Sequence, residues 1–469
     1  MKLLKFVLKI LFKLLFILIV LQLIRGGIAR VRIHELQSWH RPSEIKELEY
    51  DDYADVASYL KDEKIYLEKL YKEVEVDENS VYNRYVRNSV SSPFLPNGEN
   101  INRSFEMIPE EIKGGVLLIH GLTDTPFSMR DVGQIFYEKG YYVFAIRFPY
   151  HGTHPGEMLK LNWKDFVEAT NFGAKMVKQK LKTIDNPKFY MVGYSTGASA
   201  TLQYITHEIK INKELPKPDG IFWLSPAMGV TPAAKYGFLD IWLSKIPGFE
   251  KFAWLDNYPE YDPAKYNSFP KNAGIQVYNI IKKARRNLEK LSAEERESLP
   301  PIYTYTSIED ATVDTSELVN VLRDLKNEDG ELVIFDANRK YNEFYKPEIK
   351  DVDLAYAIEN AKLDSEIVVI TNYDHQRTDT VSVNRYKNKE WSIDKNWENK
   401  LKWSESSFSL AHVSLPIALD NPLYGKGTAI GTLNIKGENG LVYLSPSMMI
   451  RLRYNIFFEY IRENIKNKI

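Results

Sequence analysis

The stretch Lys188-Phe189-Tyr190-Met191-Val192-Gly193-Tyr194-Ser195-Thr196-Gly197 decides how the rest of the chain is read. Its first seven residues form an apolar run of strand character, and a helical pattern begins at Thr196 and continues to Ile209. Between them lies G-x-S-x-G. A strand that passes into a helix through so tight a turn holds the turn residue in a strained conformation and leaves its hydroxyl exposed. The flanking glycines remove side chains that would collide across the turn. The new helix offers N–H groups without intrahelical acceptors to a developing anion. These are the requirements of an activated serine, and they single out Ser195 as a nucleophile. The motif alone is a weak signal, equally met by an unreactive glycine-rich turn; its weight comes from the strand before it and the helix after it.

The same texture extends in both directions. Gly115–His120, Tyr141–Arg147, Gly220–Leu224, Pro301–Thr306, Glu331–Asp336 and Glu366–Thr371 are further short apolar runs, with helical segments such as Trp163–Leu181 between them. Strands alternating with helices predict an α/β fold with a mostly parallel sheet flanked by helices. Residues 228–299 break the alternation with Phe238, Trp242, Phe249, Phe252 and Trp254, then a charged helix from about 275 to 297. This stretch reads as a helical cap insertion over the sheet, whose aromatics could line an acyl-chain pocket or simply form core. Pro446–Ile465 reads as a closing helix.

A serine nucleophile needs an oxyanion hole, an acid and a base. The backbone N–H groups of Thr196, after the nucleophile, and of Leu122, in His120-Gly121-Leu122-Thr123 after an earlier strand, fit the oxyanion hole. His120 reads as a structural residue holding that loop. The acid is expected at the carboxyl end of a strand, on the same sheet edge as the serine. Asp310, after the run Pro301–Thr306, is the first choice, with Asp314 and Glu309 as alternatives; Asp314 also suits a cap of the helix Ser316–Leu325. Of the eight histidines only His375 and His412 follow the acid in the order Ser…Asp…His. His412, in the apolar stretch Ser409–Pro416, is favoured over His375, which lies in a polar turn. His151 and His154 have a spacing possible for a metal pair but no further ligand pattern near them, so neither metal nor cofactor is expected.

Composition narrows the function classes. The chain has 469 residues, 44% hydrophobic and 27% charged, a globular balance. With no cysteine, thiolate nucleophiles, disulfides and Cys-ligated metals are excluded. Seven of the 62 basic residues and none of the 63 acidic ones lie in residues 1–32, so the body carries a formal charge of −8. An acidic body argues against a nucleic-acid groove. The basic start is apolar from Phe6 to Ile24 except for Lys9, Lys13 and Gln22, and nineteen helical residues span about 28 Å, enough for a hydrocarbon core. An uncleaved membrane anchor explains both the lysine stripe and the run Leu14–Leu21 better than a cleaved signal or an in-plane helix. The positive-inside bias places the body outside the cytoplasm. Residues 33–104 read as a charged segment with one or two helices between about 42 and 75, joining anchor to body.

Taken together, the motifs at residues 120–130 (HGLTDTPFSMR), 147–157 (RFPYHGTHPGE), 193–197 (GYSTG) and 412–425 (H-x-x-L-P followed by DNPLYG) resemble those of the serine α/β-hydrolases, most closely the monoglyceride lipase, lysophospholipase and carboxylesterase branch. The resemblance covers about residues 105–230 and 300–465. It implies an α/β-hydrolase domain over 105–469, with Ser195 as nucleophile, Asp310 as acid, His412 as base and the N–H groups of Leu122 and Thr196 as oxyanion donors. It further implies cleavage of carboxylic, acyl-type esters, a small-molecule or lipid ester being the partner. Acyl transfer or amide hydrolysis by the same triad, or a non-catalytic membrane scaffold, are the rival functions. Two departures stand out. Asp124 replaces the usual glycine of H-G-x-x-G. About 75 residues separate Glu331–Asp336 from His412, which reads as a second insertion, about 339–400, forming a strand pair or flap from Glu366–Thr371 and Thr378–Asn384.

Overall fold

A computed structural model describes residues 33–469 apart from 230–236, 311, 314, 338, 342–345, 374–379, 404–409 and 429–451, together with scattered positions of 1–32. Its centre is a ten-stranded sheet. In chain order the strands are β1 (Phe105–Met107), β2 (Gly114–Ile119), β3 (Tyr141–Ile146), β4 (Lys188–Tyr194) and β5 (Gly220–Leu224), then β8 (Ile302–Ser307) and β9 (Glu331–Asp336). The last three are β10 (Glu366–Asn372), β11 (Val381–Lys387) and β12 (Glu390–Ile393). A separate two-stranded pair consists of β6 (Trp254–Asp256) and β7 (Phe269–Pro270). Across the large sheet the order is β1-β3-β2-β4-β5-β8-β9-β10-β11-β12, parallel from β3 to β10. This is an α/β-hydrolase fold.

The two-residue period of each strand decides which face it serves. On β2, Leu117 and Ile119 join one core, and Val116 and Leu118 the other. The first core is covered by α1 (Val56–Glu73), α3 (Trp163–Lys180), α4 (Thr196–Gln203), α6 (Lys271–Glu289) and α8 (Thr315–Leu325). The second is covered by α2 (Arg130–Glu138) and α10 (Phe458–Lys468). Because both faces are covered, the central strands are buried along their whole length, as parallel strands must be.

Several expectations change here. Of the strand pair or flap expected in 339–400, the structure holds the pair, β10 antiparallel to β11, but builds it into the sheet: β10 pairs in parallel with β9, Ile367 opposite Leu332, and β12 continues antiparallel beyond β11. Val368, Val369 and Ile370 are buried, so the hydrophobic run drives β10 into the sheet rather than over the site. Of the closing helix expected over Pro446–Ile465, residues 446–451 lie outside the described residues, and the described helix begins at Phe458; Asn455 turns the chain before it, accepting from the Phe457 N–H through Oδ1 at 2.8 Å. The charged helix of the cap is α6. Its Ala273, Val277, Ile280, Ala284 and Leu288 face the first core beside α4, so it belongs to the helical layer. What remains over the sheet edge is α5 (Gly237–Leu243), the β6–β7 pair and their connections.

The N-terminal segment holds a single α-helix, α1, capped by Asp55, whose side chain accepts from the Ser58 N–H. It is packed onto the body rather than merely joining it: Tyr59, Leu67 and Leu70 are fully buried. Of the anchor reading, most of residues 1–32 lies outside the described residues. Among the described residues no helix is long and apolar enough to cross a membrane.

Candidate active site

Strand register brings the loops that matter to one edge. Ile119 lies opposite Gly193, Tyr194 opposite Leu224, Leu224 opposite Tyr305, and Ser307 opposite Phe335. The residues that follow β2, β4, β5 and β8 therefore leave the sheet side by side, where parallel sheets place their sites.

Ser195 stands between β4 and α4 with φ 53° and ψ −115°. A non-glycine residue in such a conformation costs about 1–3 kcal/mol and persists only when its surroundings over-determine it. Here they do. Its N–H donates to the Leu224 carbonyl at 2.9 Å, and its own carbonyl accepts from the Ala198 and Ala227 N–H groups at 3.0 and 3.1 Å. The two glycines of the motif are required by space. A Cβ on Gly193 would lie 2.6 Å from the Ala198 Cα, and one on Gly197 would collide with the Ile119 carbonyl oxygen. Ser195 keeps 9% of its surface exposed, while Thr196, the first residue of α4, is buried.

The loop after β2 lies against the serine: a Cβ on Gly121 would stand 3.0 Å from the Ser195 Cβ. Two contacts fix it through His120. The ring's Nε2 accepts from the Phe148 N–H at 3.0 Å, so Nδ1 carries the proton and donates to the Gly121 carbonyl at 2.8 Å. Burial holds the imidazole well below its ordinary range and therefore neutral. Thr123 takes φ 62°, and its carbonyl accepts from the Tyr266 N–H at 2.8 Å, a contact from the stretch between β6 and β7. Asp124, where a glycine is usual, is buried, accepts from the Thr125 N–H at 3.1 Å and lies 3.5 Å from the Lys265 ammonium.

Asp310, after β8, and His412 also meet: Asp310 Oδ2 and His412 Nδ1 are 2.6 Å apart, both residues buried. The remaining oxygen, Oδ1, accepts from the Thr312 and Val313 N–H groups at 2.8 and 3.3 Å. The carboxylate is therefore held from both ends. Glu309, also buried, turns its N–H to the Ser307 Oγ at 3.2 Å. Asp314 and His375 lie outside the described residues. The His412 ring centroid is 5.5 Å from that of Tyr194, the residue before Ser195. Its carbonyl accepts from the Ser225 Oγ at 3.3 Å.

The chain after His412 is clamped in turn. Asp131 on α2 accepts from the Ala418 N–H at 2.7 Å and the Asn421 Nδ2 at 2.8 Å, while Asn421 Oδ1 takes the N–H groups of Leu423 and Tyr424. The D-N-P-L-Y-G sequence is thus a turn whose asparagine pins it to the body. The other two histidines singled out in the sequence each bond a backbone carbonyl. His151 Nδ1 pairs with the Pro149 carbonyl and His154 Nδ1 with the Trp39 carbonyl, and burial lowers both rings to about 4. Among the described residues no group of three or more His, Asp or Glu side chains could hold a metal.

Sequence reasoning missed the support around these residues. Tyr266 and Lys265 of the cap, and Arg147, belong to it, yet each reads in the sequence as an ordinary aromatic or surface cation. The one available signal was that Arg147 ends a buried strand, where an unpaired charge is untenable.

Residues 110–339 match the family model of Hydrolase_4, described as serine aminopeptidase, S33. The matched stretch contains Ser195 and Asp310 and stops before His412. The chain is similar to a thermostable monoacylglycerol lipase of Bacillus sp. (strain H-257), 26% identical over 219 residues that make up 47% of this chain and 79% of the lipase. It is also similar to caffeoylshikimate esterase of Arabidopsis thaliana, 34% identical over 119 residues, 25% of this chain and 36% of the esterase. Among solved structures, that of LipS and LipT, two metagenome-derived lipolytic enzymes, is 20% identical with a TM-score of 0.39, covering 50% of this chain and 88% of its own.

Proposed function

We propose that this chain, an α/β serine hydrolase of the monoglyceride-lipase-like branch, cleaves acyl esters with Ser195 as nucleophile, His412 as base and Asp310 as the acid behind it. The observation that carries this reading is the 2.6 Å contact between Asp310 and His412, whose ring lies 5.5 Å from that of Tyr194, the residue before a serine held at positive φ. Nδ1 of His412 faces the carboxylate, which leaves Nε2 as the nitrogen that takes the Ser195 proton when Oγ attacks the ester carbonyl carbon. The N–H groups of Leu122 and Thr196 receive the oxyanion. Collapse of the tetrahedral intermediate breaks the bond to the alcohol oxygen, which leaves with the proton from His412. Water, deprotonated by the same imidazole, then releases the acid.

The similarity to a monoacylglycerol lipase favours acyl-glycerol or related lipid esters as substrates. The family's description as serine aminopeptidase supports amide cleavage as a second reading of the same chemistry. Purified protein is expected to hydrolyse a graded series of p-nitrophenyl and glycerol acyl esters, with kcat/KM rising from acetyl toward medium or long chains. No turnover anywhere in that series would overturn the ester assignment, and turnover of aminoacyl amides alone would select the second reading.

We further propose that residues 1–32 tether the enzyme to a membrane. The described side chains of Phe6, Phe12, Phe16, Ile17 and Ile24 are exposed. A Cβ on Gly26 would stand 3.2 Å from the Phe249 ring, so the end of the segment lies against the cap. The full chain is expected to stay with membranes through a high-salt wash, since apolar burial is not screened by ions. A chain lacking residues 1–32 is expected in the soluble fraction with its activity on short esters intact. Release of the full chain by salt alone would refute the tether.

A further inference from the structure

The N-terminal segment, residues 33–104, lies outside the stretch that matches the family model, yet its carboxylates are the partners of a cation in the catalytic body. Arg147, at the end of β3, is 1% exposed. Its Nε donates to Glu63 Oε1 at 2.8 Å, and its Nη1 and Nη2 donate to the two oxygens of Glu47 at 3.1 and 2.7 Å. Nη1 also donates to the Phe148 and His151 carbonyls at 3.2 and 3.1 Å. All three ionic side chains are buried. Two carboxylates on one guanidinium leave an excess negative charge, which neutral donors share: Tyr59 and Ser104 hydroxyls and the Ser104 N–H to Glu63, the Tyr66 hydroxyl and the Tyr150 N–H to Glu47.

This network continues into the site. Arg147 fixes the loop at 148–151, the Phe148 N–H donates to His120 Nε2, and His120 Nδ1 donates to the carbonyl of Gly121, next to Leu122. A second branch is direct. Asn102 Oδ1 accepts from the Thr125 Oγ1 at 3.1 Å, and Asn102 Nδ2 donates to the Pro263 carbonyl at 2.8 Å, gripping the oxyanion loop and the cap together. Arg84 adds its N–H to the Glu260 carbonyl at 2.9 Å and its Nη1 to the Lys265 carbonyl at 3.1 Å.

We infer that the segment 33–104 is a working part of the active site, in which Glu63, acting through Arg147 and His120, and Asn102, acting through Thr125, are positioning residues for the Leu122 N–H of the oxyanion hole. The inference rests on the hydrolase reading above. An oxyanion donor is worth about 10²–10³ in rate, and a misplacement of about 1 Å can forfeit a large part of that. Loss of support should weaken binding of the tetrahedral species while sparing the bound ester, because the donor is aimed at the oxygen only as it becomes negative.

The test uses the full-length chain with Glu63→Gln and, as an independent branch, Asn102→Ala. Active serines are titrated to completion with a fluorophosphonate, so that misfolded protein drops out of the rate. For each variant kcat per labelled serine is expected to fall about 10- to 100-fold with KM within about twofold. Affinity for a trifluoromethyl ketone, which forms the tetrahedral adduct, should fall by the same factor as kcat. Wild-type kcat per labelled serine in both variants, with any loss confined to the amount of labelled protein, overturns the inference and leaves the segment a stabilising strap. A wild-type chain that neither labels nor turns over would instead refute the hydrolase reading, before any variant is compared.

Discussion

Ser195→Ala is expected to remove ester hydrolysis and fluorophosphonate labelling together, lowering kcat by about 10⁶-fold while the melting temperature holds. The asymmetry follows from what the residue does in the fold. Its backbone, not its hydroxyl, makes the structural contacts: the N–H to Leu224, the carbonyl to Ala198 and Ala227. Alanine keeps all three and meets the same positive φ at the same cost. The hydroxyl is the only group lost, and with it the atom proposed to form the acyl-enzyme. Substrate affinity should survive, since the proposed oxyanion donors, the N–H groups of Leu122 and Thr196, are untouched. Measured in the variant, turnover and labelling report chemistry, and thermal unfolding reports the elbow. Unchanged turnover would move the nucleophile elsewhere and take the triad with it.

What the sequence made legible, and what it did not, divides along the range of the interactions. The elbow was readable because its requirements are local: a strand, a turn with no room for Cβ atoms at Gly193 and Gly197, and a helix start, all within ten residues. The strands β2, β3, β4, β5, β8 and β9 were readable because burial on both faces writes continuous apolar runs. The strand β10 carried the same run, yet its place in the sheet was not legible. A run of four apolar residues, Ile367–Ile370, does not say which neighbour it pairs with, and the register with β9 is a long-range choice. The helix α6 misled for a related reason. Its charged face is conspicuous in the sequence, while the stripe Ala273, Val277, Ile280, Ala284 and Leu288 says that one face is buried but not that α4 is the element it packs beside. Least legible was the Arg147 network. Glu47 and Glu63 sit in a segment whose composition reads as a solvated helix, and only the fold puts a buried guanidinium opposite them.

The base is where sequence order left two histidines, and the second large effect separates them. His412→Ala is expected to lower kcat by about 10⁴- to 10⁶-fold, leaving the residual rate that binding and the oxyanion hole supply. His375→Ala, at a residue with polar neighbours in the sequence, is expected to stay within about threefold of wild type. The physical ground is the carboxylate. Asp310 Oδ2 lies 2.6 Å from Nδ1 of His412, and its other oxygen is tied to the Thr312 and Val313 N–H groups, so it has one free direction and the ring of His412 fills it. An imidazole so held keeps its proton on Nδ1 and its lone pair on Nε2. Asp310→Asn reverses that preference: the amide can donate to Nδ1, leaving the proton on Nε2 and the ring unable to accept one from serine. That variant should lose about 10⁴-fold in kcat with little change in KM. In the proposed triad Asp310 and His412 act as one unit, so the double variant His412→Ala, Asp310→Asn should be no slower than His412→Ala alone. A further loss in the double variant would mean that Asp310 serves a different base. An inactive His375→Ala beside an active His412→Ala would name it.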